Sequence, residues 1–220
     1  KQDNDGEKEM EDHVKIIYYT QAKVPSQWIT QLHEILNETD VLLLGMGLWW
    51  NSEMELHRDF GLFLEQISTA SKVPLLVHRE TTTQHFASPD GSYGRGLFNT
   101  TCRALEAKRT TTNSSNIIIP SWRDNAIRKA AVDRGYQVLN VDDPATATAA
   151  VSTNLKEQQQ PQLWIVPLFH FSATQHNQHP DLLHLRHART DPDCTHFCAS
   201  PYMWYPIWRG LRRTMEFKFQ

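Results

Sequence analysis

Short apolar runs separated by helix-patterned stretches constrain this chain more than any other feature. Val41 to Leu44 is apolar without interruption, as befits a strand covered on both faces rather than one. Val73 to Val77 is a second such run, and Tyr136 to Val141 and the Pro-interrupted Leu163 to Phe169 read as further strands. Val14 to Tyr19 is a β-type run ahead of them all. Between the runs stand helix signals. Ser26 can cap a helix striped by Trp28, Ile29, Leu32, Ile35 and Leu36. Glu53 to Ala70 puts Leu56, Phe60, Phe63, Leu64 and Ile67 on one face, Trp122 to Arg134 is stopped by Gly135, and Pro201 to Thr214 forms the last helix. Alternating strands and helices predict an α/β fold with a parallel sheet, whose ligands bind beyond the C-terminal strand ends.

The rest is irregular. Residues 1–13 hold six acids and two lysines without periodicity and read as an acidic disordered tail or loop before a domain over 14–220. Residues 80–115 are rich in Thr, Ser, Gly and Asn, a long loop of the kind that carries function or disorder. Ile117 to Ile119 is a short apolar run, and residues 144–162 pass from a weak helix to a Gln-rich linker. The 220 residues carry a net charge of −3 with no basic face, which argues against nucleic acid or an anionic membrane as partner. No apolar run approaches the roughly 20 residues of a membrane helix. Three cysteines, Cys102, Cys194 and Cys198, admit at most one internal disulfide. Sequons begin at Asn37, Asn99 and Asn113.

The strongest chemical signal is Asp193-Cys-Thr-His196. An acid three positions before a histidine, on a turn leading into a helix, can hold one ring nitrogen while the other faces a nucleophile as general base; on spacing alone an exposed polar turn is the plain alternative. That is the back half of a Ser-His-Asp relay. Gly45 and Gly47 follow a buried strand, where bare backbone N–H groups can approach an oxyanion; a tight turn is the plain alternative. Trp49 and Trp50 could stack on a sugar ring or pack in the core. Arg79 and His85 follow the next strand and could bind a carboxylate, hydroxyl or oxyanion, and a structural salt bridge competes for Arg79. Cys194 and Cys198 flank His196; a disulfide between them would stiffen the turn, and a buried free thiol is the alternative. Six histidines, His170, His176, His179, His184, His187 and His196, fall within 27 residues. Pairs spaced i, i+3 can chelate a metal, but a polar loop with one catalytic histidine explains them more simply, so no metal or other cofactor is expected.

Taken together, three blocks resemble the PC-esterase and trichome-birefringence-like family of SGNH-type acyltransferases and esterases. Asp193-Cys-Thr-His-Phe-Cys198, with Trp204 and Trp208 after it, is similar to that family's D-C-x-H-W-C block. Asp40-Val-Leu-Leu-Leu-Gly-Met-Gly-Leu-Trp-Trp50 resembles its strand ending in G-H-W-W, and Val77-His-Arg-Glu-Thr-Thr-Thr-Gln-His-Phe86 its F-R-T-x-S-P-x-H-F loop. Gln178-His-Pro180 is a weaker fourth match. Leu48 stands where the family has His, Thr82 and Thr83 replace Ser-Pro, and no Gly-Asp-Ser occurs. The expectation is therefore an SGNH-hydrolase-like three-layer parallel sheet whose first strand, with the serine block, precedes residue 1. Such a sheet would leave an exposed strand edge. The resemblance implies O-acyl, chiefly O-acetyl, transfer to or hydrolysis from a carbohydrate in the Golgi lumen or outside the cell, with Asp193 and His196 as acid and base and any membrane tether in an N-terminal anchor. It leaves the acyl donor open. The alternative is a non-catalytic glycan-binding module of the same fold, and a His-rich metal-binding protein is a third reading.

Overall fold

A computed structural model describes residues 41–70, 72–86, 88, 102–103, 121–143, 160–173, 175, 194 and 201–218. The elements in chain order are β1 (Val41–Leu44), α1 (Glu53–Ser68), β2 (Leu75–Arg79), α2 (Trp122–Asp133), β3 (Gln137–Asn140), β4 (Gln162–Val166), α3 (Phe169–Ala173) and α4 (Pro201–Lys218). The four strands form one all-parallel sheet in the order β1-β2-β4-β3. The fold is α/β. The Val14 to Tyr19 strand, the Ser26 helix and Ile117 to Ile119 lie outside the described residues.

Local chemistry sets the boundaries. Ser52 adopts an extended conformation and its hydroxyl accepts the Glu55 N–H at 3.1 Å, while Glu53 and Glu55 place negative charge in the first turn of α1. Ser121 caps α2 by accepting from the Arg123 N–H at 3.0 Å. At the other end of α2, Tyr136 N–H reaches Ala131 O and Gly135 N–H reaches Val132 O, both at 2.9 Å. That paired pattern is a Schellman stop, as Gly135 predicts. Two strands sit differently from their apolar runs. Pro74 has no N–H to donate, so β2 pairs from Leu75 and extends through His78 and Arg79. Pro167 likewise ends β4, and Phe169 belongs to α3 rather than to a strand.

Each sheet face buries a separate core. On one, Leu44, Leu76, Leu163 and Ile165 meet Leu56, Phe60, Phe63, Leu64 and Ile67 of α1 and Ala126, Ile127, Ala130 and Ala131 of α2. The helical stripe read from α1 is thus its buried face, and each of its large side chains contributes roughly 1.5–3 kcal/mol. On the opposite face Leu75, Val77, Leu139, Val141, Trp164 and Val166 pack with Leu211 of α4. Helices therefore cover both faces, which is why apolar residues of the same strand point to both sides. Among the described residues β1 pairs with β2 alone, and Leu43 is 40% exposed.

Two stability predictions arise here. A Cβ added at Gly210 of α4 would lie 2.7 Å from both methyls of Val166. Alanine gains about 1 kcal/mol of helix propensity, but overpacking costs about 1–3 kcal/mol. Gly210→Ala is therefore expected to be destabilising in urea, and a raised midpoint would refute the close approach. The second concerns Tyr136, whose buried hydroxyl lies 3.4 Å from Leu64 O and whose pKa burial raises. Folding then favours the neutral phenol. The contribution is complete below the unfolded value of about 10 and is lost as pH rises toward the higher folded value. Tm should fall above about pH 10, and Tyr136→Phe should flatten that fall. An identical slope in the variant would exclude this tyrosine as its source.

Candidate functional site

The turn after β1 is built around Gly47, whose φ of +122° an L side chain rarely adopts. A Cβ there would also lie 2.4 Å from Thr81 Oγ1. The Thr81 hydroxyl donates to Met46 O at 3.0 Å, and Trp50 N–H returns to Gly47 O at 3.3 Å. Of the two tryptophans, Trp50 is buried and its Nε1–H donates to Asp59 Oδ2 at 2.9 Å, whereas Trp49 is 51% exposed. Arg79 ends β2 with its guanidinium laid against Gly45, so closely that a Cβ at Gly45 would meet Nε at 2.7 Å. Arg79 is half-buried. Gly45, Gly47 and Arg79 thus share the C-terminal rim of β1 and β2, where a parallel sheet presents its ligand site.

His85 has a different setting. Its ring is fully buried and its Nε2–H donates to Ala173 O at 3.0 Å. Its backbone N–H donates to Cys194 O and its carbonyl accepts the Arg103 N–H, both at 2.9 Å. Cys102 and Cys194 form a disulfide across 92 residues of sequence. The Cys194–Cys198 pairing considered from sequence is therefore replaced by one that ties Cys194 to the segment beside His85. Cys194, the residue between Asp193 and Thr195, is fully buried there. Asp193, His196 and Gln178-His-Pro180 themselves lie outside the described residues.

Several polar residues that the sequence did not single out as site residues complete the rim. Glu80 is buried; its Oε1 accepts from Arg128 Nη2 at 2.7 Å, and its Oε2 accepts from Leu168 N–H at 3.0 Å and Phe169 N–H at 3.2 Å. One carboxylate thereby fixes α2 and the start of α3. Thr83 N–H donates to Ser172 Oγ at 2.9 Å, and Thr83 Oγ1 donates to Phe169 O at 3.0 Å. Thr81 N–H donates to Asp124 Oδ1 at 2.8 Å. The Ser121-x-x-Asp124 spacing, that of a helix capping box, was the available sequence signal for Asp124. Arg123 stacks on Trp122, with Cζ 4.5 Å from the ring centroid, and its stem covers Gly47.

Among this chain's serines, Ser172 is fully buried and bonded to Thr83, and Ser121 is occupied as a helix cap. Ser92 and Ser200 lie outside the described residues. Among the described residues no group of three or more His, Cys, Asp or Glu side chains is gathered to hold a metal ion, and no helix is long and apolar enough to cross a membrane. Of the clustered histidines, only the backbone of His170 is described.

Chemically, the rim offers a glycine turn at positive φ beside an arginine, backed by a buried polar scaffold. Such an arrangement can bind an anion or a developing oxyanion. Comparison of the chain with protein-family models, with curated proteins and with solved structures finds no match.

Proposed function

We propose that this chain belongs to an SGNH-like domain that transfers an O-acyl group, chiefly O-acetyl, to a carbohydrate or hydrolyses it from one. In this reading His196 takes the proton of a serine hydroxyl as the serine attacks the acyl carbon, and returns it to the leaving oxygen as the ester C–O bond breaks. Water or a sugar hydroxyl, deprotonated by His196, then takes the acyl group and frees the serine, while Asp193 holds and stabilises the imidazolium. Backbone N–H groups at the Gly45–Gly47 turn receive the negative charge of the tetrahedral intermediate. Arg79 and the exposed Trp49 contact the substrate, and His85 holds the backbone of Cys194. Cofactors play no part, and the reaction takes place in the Golgi lumen or outside the cell.

The observation that carries the reading is the tie between Cys194 and His85. It fixes the backbone of Cys194, which stands between Asp193 and His196 in sequence, to the segment that follows β2. The test is acetyl-ester hydrolysis with His196→Ala and Asp193→Asn variants in a longer protein containing a Gly-Asp-Ser block. Full activity after His196→Ala would end this reading.

A further inference from the structure

Asp124, in the first turn of α2, is 1% exposed, and His78 on β2 is fully buried. His78 Nε2 faces Asp124 Oδ1 at 3.6 Å, beyond a hydrogen bond. Among the described residues, Asp124 Oδ2 and both ring nitrogens of His78 have no hydrogen-bond partner. Buried polar atoms in that condition are rare and costly, and an apolar pair of similar size would pack the same space without the cost. The pair therefore calls for a role besides packing.

The chain of contacts supplies one. Asp124 Oδ1 receives the Thr81 N–H at 2.8 Å, which fixes the Thr81 backbone. The Thr81 hydroxyl then holds Met46 O at 3.0 Å. Met46 C=O and Gly47 N–H belong to one peptide plane, and in a trans peptide they point in opposite directions. Holding the carbonyl aims the amide. Gly47 must lack a side chain because Thr81 Oγ1 fills that space. We propose that Asp124 is a positioning residue for the Gly47 amide, acting through Thr81, and that His78 is the buried partner that steadies Asp124. The placement near the positive end of α2 favours a carboxylate there. The functional consequence rests on reading the Gly45–Gly47 turn as an oxyanion site; the mechanical coupling does not.

Hydrogen exchange in the 220-residue chain tests the coupling directly. Asp124→Leu removes the acceptor at similar size and should speed exchange across residues 45–50 and 80–83 by about tenfold, the scale of one buried hydrogen bond. Asp124→Asn keeps an acceptor oxygen and should restore slow exchange. Thr81→Val keeps shape without the hydroxyl and should speed residues 45–50 while leaving 121–125 unchanged; it serves if Asp124→Leu does not fold. His78→Phe should give a smaller rise in the same segments. Unchanged exchange at 45–50 in Thr81→Val overturns the proposal, as does a rise in Asp124→Leu spread equally through α1. In an active parent enzyme, Asp124→Leu should lower kcat with KM held and Asp124→Asn should recover it. A parent with no esterase activity would remove the functional reading and leave the exchange result standing.

Discussion

The 220-residue chain is expected to hydrolyse acetylated sugars and small acetyl esters no faster than background, whereas a parent with an upstream Gly-Asp-Ser should be active. In that parent His196→Ala should cost on the order of 10⁴–10⁶ in kcat, because a relay loses nearly all its advantage with any essential member. Asp193→Asn should cost about 10⁴, since an amide neither fixes the working tautomer nor stabilises the imidazolium. Two of the described serines give the reason for the first expectation. Ser172 is sealed beneath Thr83 and Ser121 is committed to α2. Neither hydroxyl lies exposed in a strand-end Gly-Asp-Ser turn. One assay with chain, parent and both variants decides the matter. Strong hydrolysis by the 220-residue chain that survives His196→Ala would eliminate the relay. An inactive parent that still binds acetylated glycans would favour the non-catalytic module.

Breaking the Cys102–Cys194 disulfide should have the largest effect on stability. A cross-link spanning 92 residues restricts the unfolded chain over a long loop, and the chain-entropy account puts such a bridge at about 3–5 kcal/mol. Cys102→Ser, or addition of a reductant, should lower the denaturant midpoint accordingly. The local consequence should be visible too. Cys194 O accepts the His85 N–H, and His85 anchors to Ala173. Loss of the bridge should therefore expose residues 83–86 to exchange before α1 opens. Peptide mapping supplies the direct check: a fragment joining Cys102 to Cys194 is expected. A Cys194–Cys198 fragment, with a stability change below about 1 kcal/mol on Cys102→Ser, would refute the pairing, because so short a loop constrains little.

The site and its scaffold differed in how far they were legible. Gly45 to Trp50 do follow a strand end, because uninterrupted apolar runs identify strands covered on both faces. Arg79, read as following its strand, is instead the last residue of β2, and only Glu80 to His85 come after it. Position after a strand did not disclose setting. Trp49 and Trp50 are neighbours in sequence, yet one stands half in solvent and the other is buried on Asp59. His85 looked like a ligand-facing residue in a polar loop, and its ring turns inward to Ala173, 88 residues away. A polar side chain in a loop carries no local mark of which way it faces when its partner lies so far along the chain.

The sequence by itself determined the parallel α/β class, the buried stripe of α1 and the Gly135 stop; the Ser52 and Ser121 caps became evident only with the structure. Those first three depend on side-chain periodicity or on backbone groups within a few residues, so a short window of sequence contains the whole cause. The tertiary structure alone decided the strand order, the Cys102–Cys194 bridge, the grip of Glu80 on α3 and the path from Asp124 through Thr81 to Met46. Those contacts join residues 35, 43, 88 and 92 positions apart. They exist only once the sheet has brought the strand ends together, because hydrogen bonds and disulfides act over a few ångströms of space and are indifferent to distance along the chain.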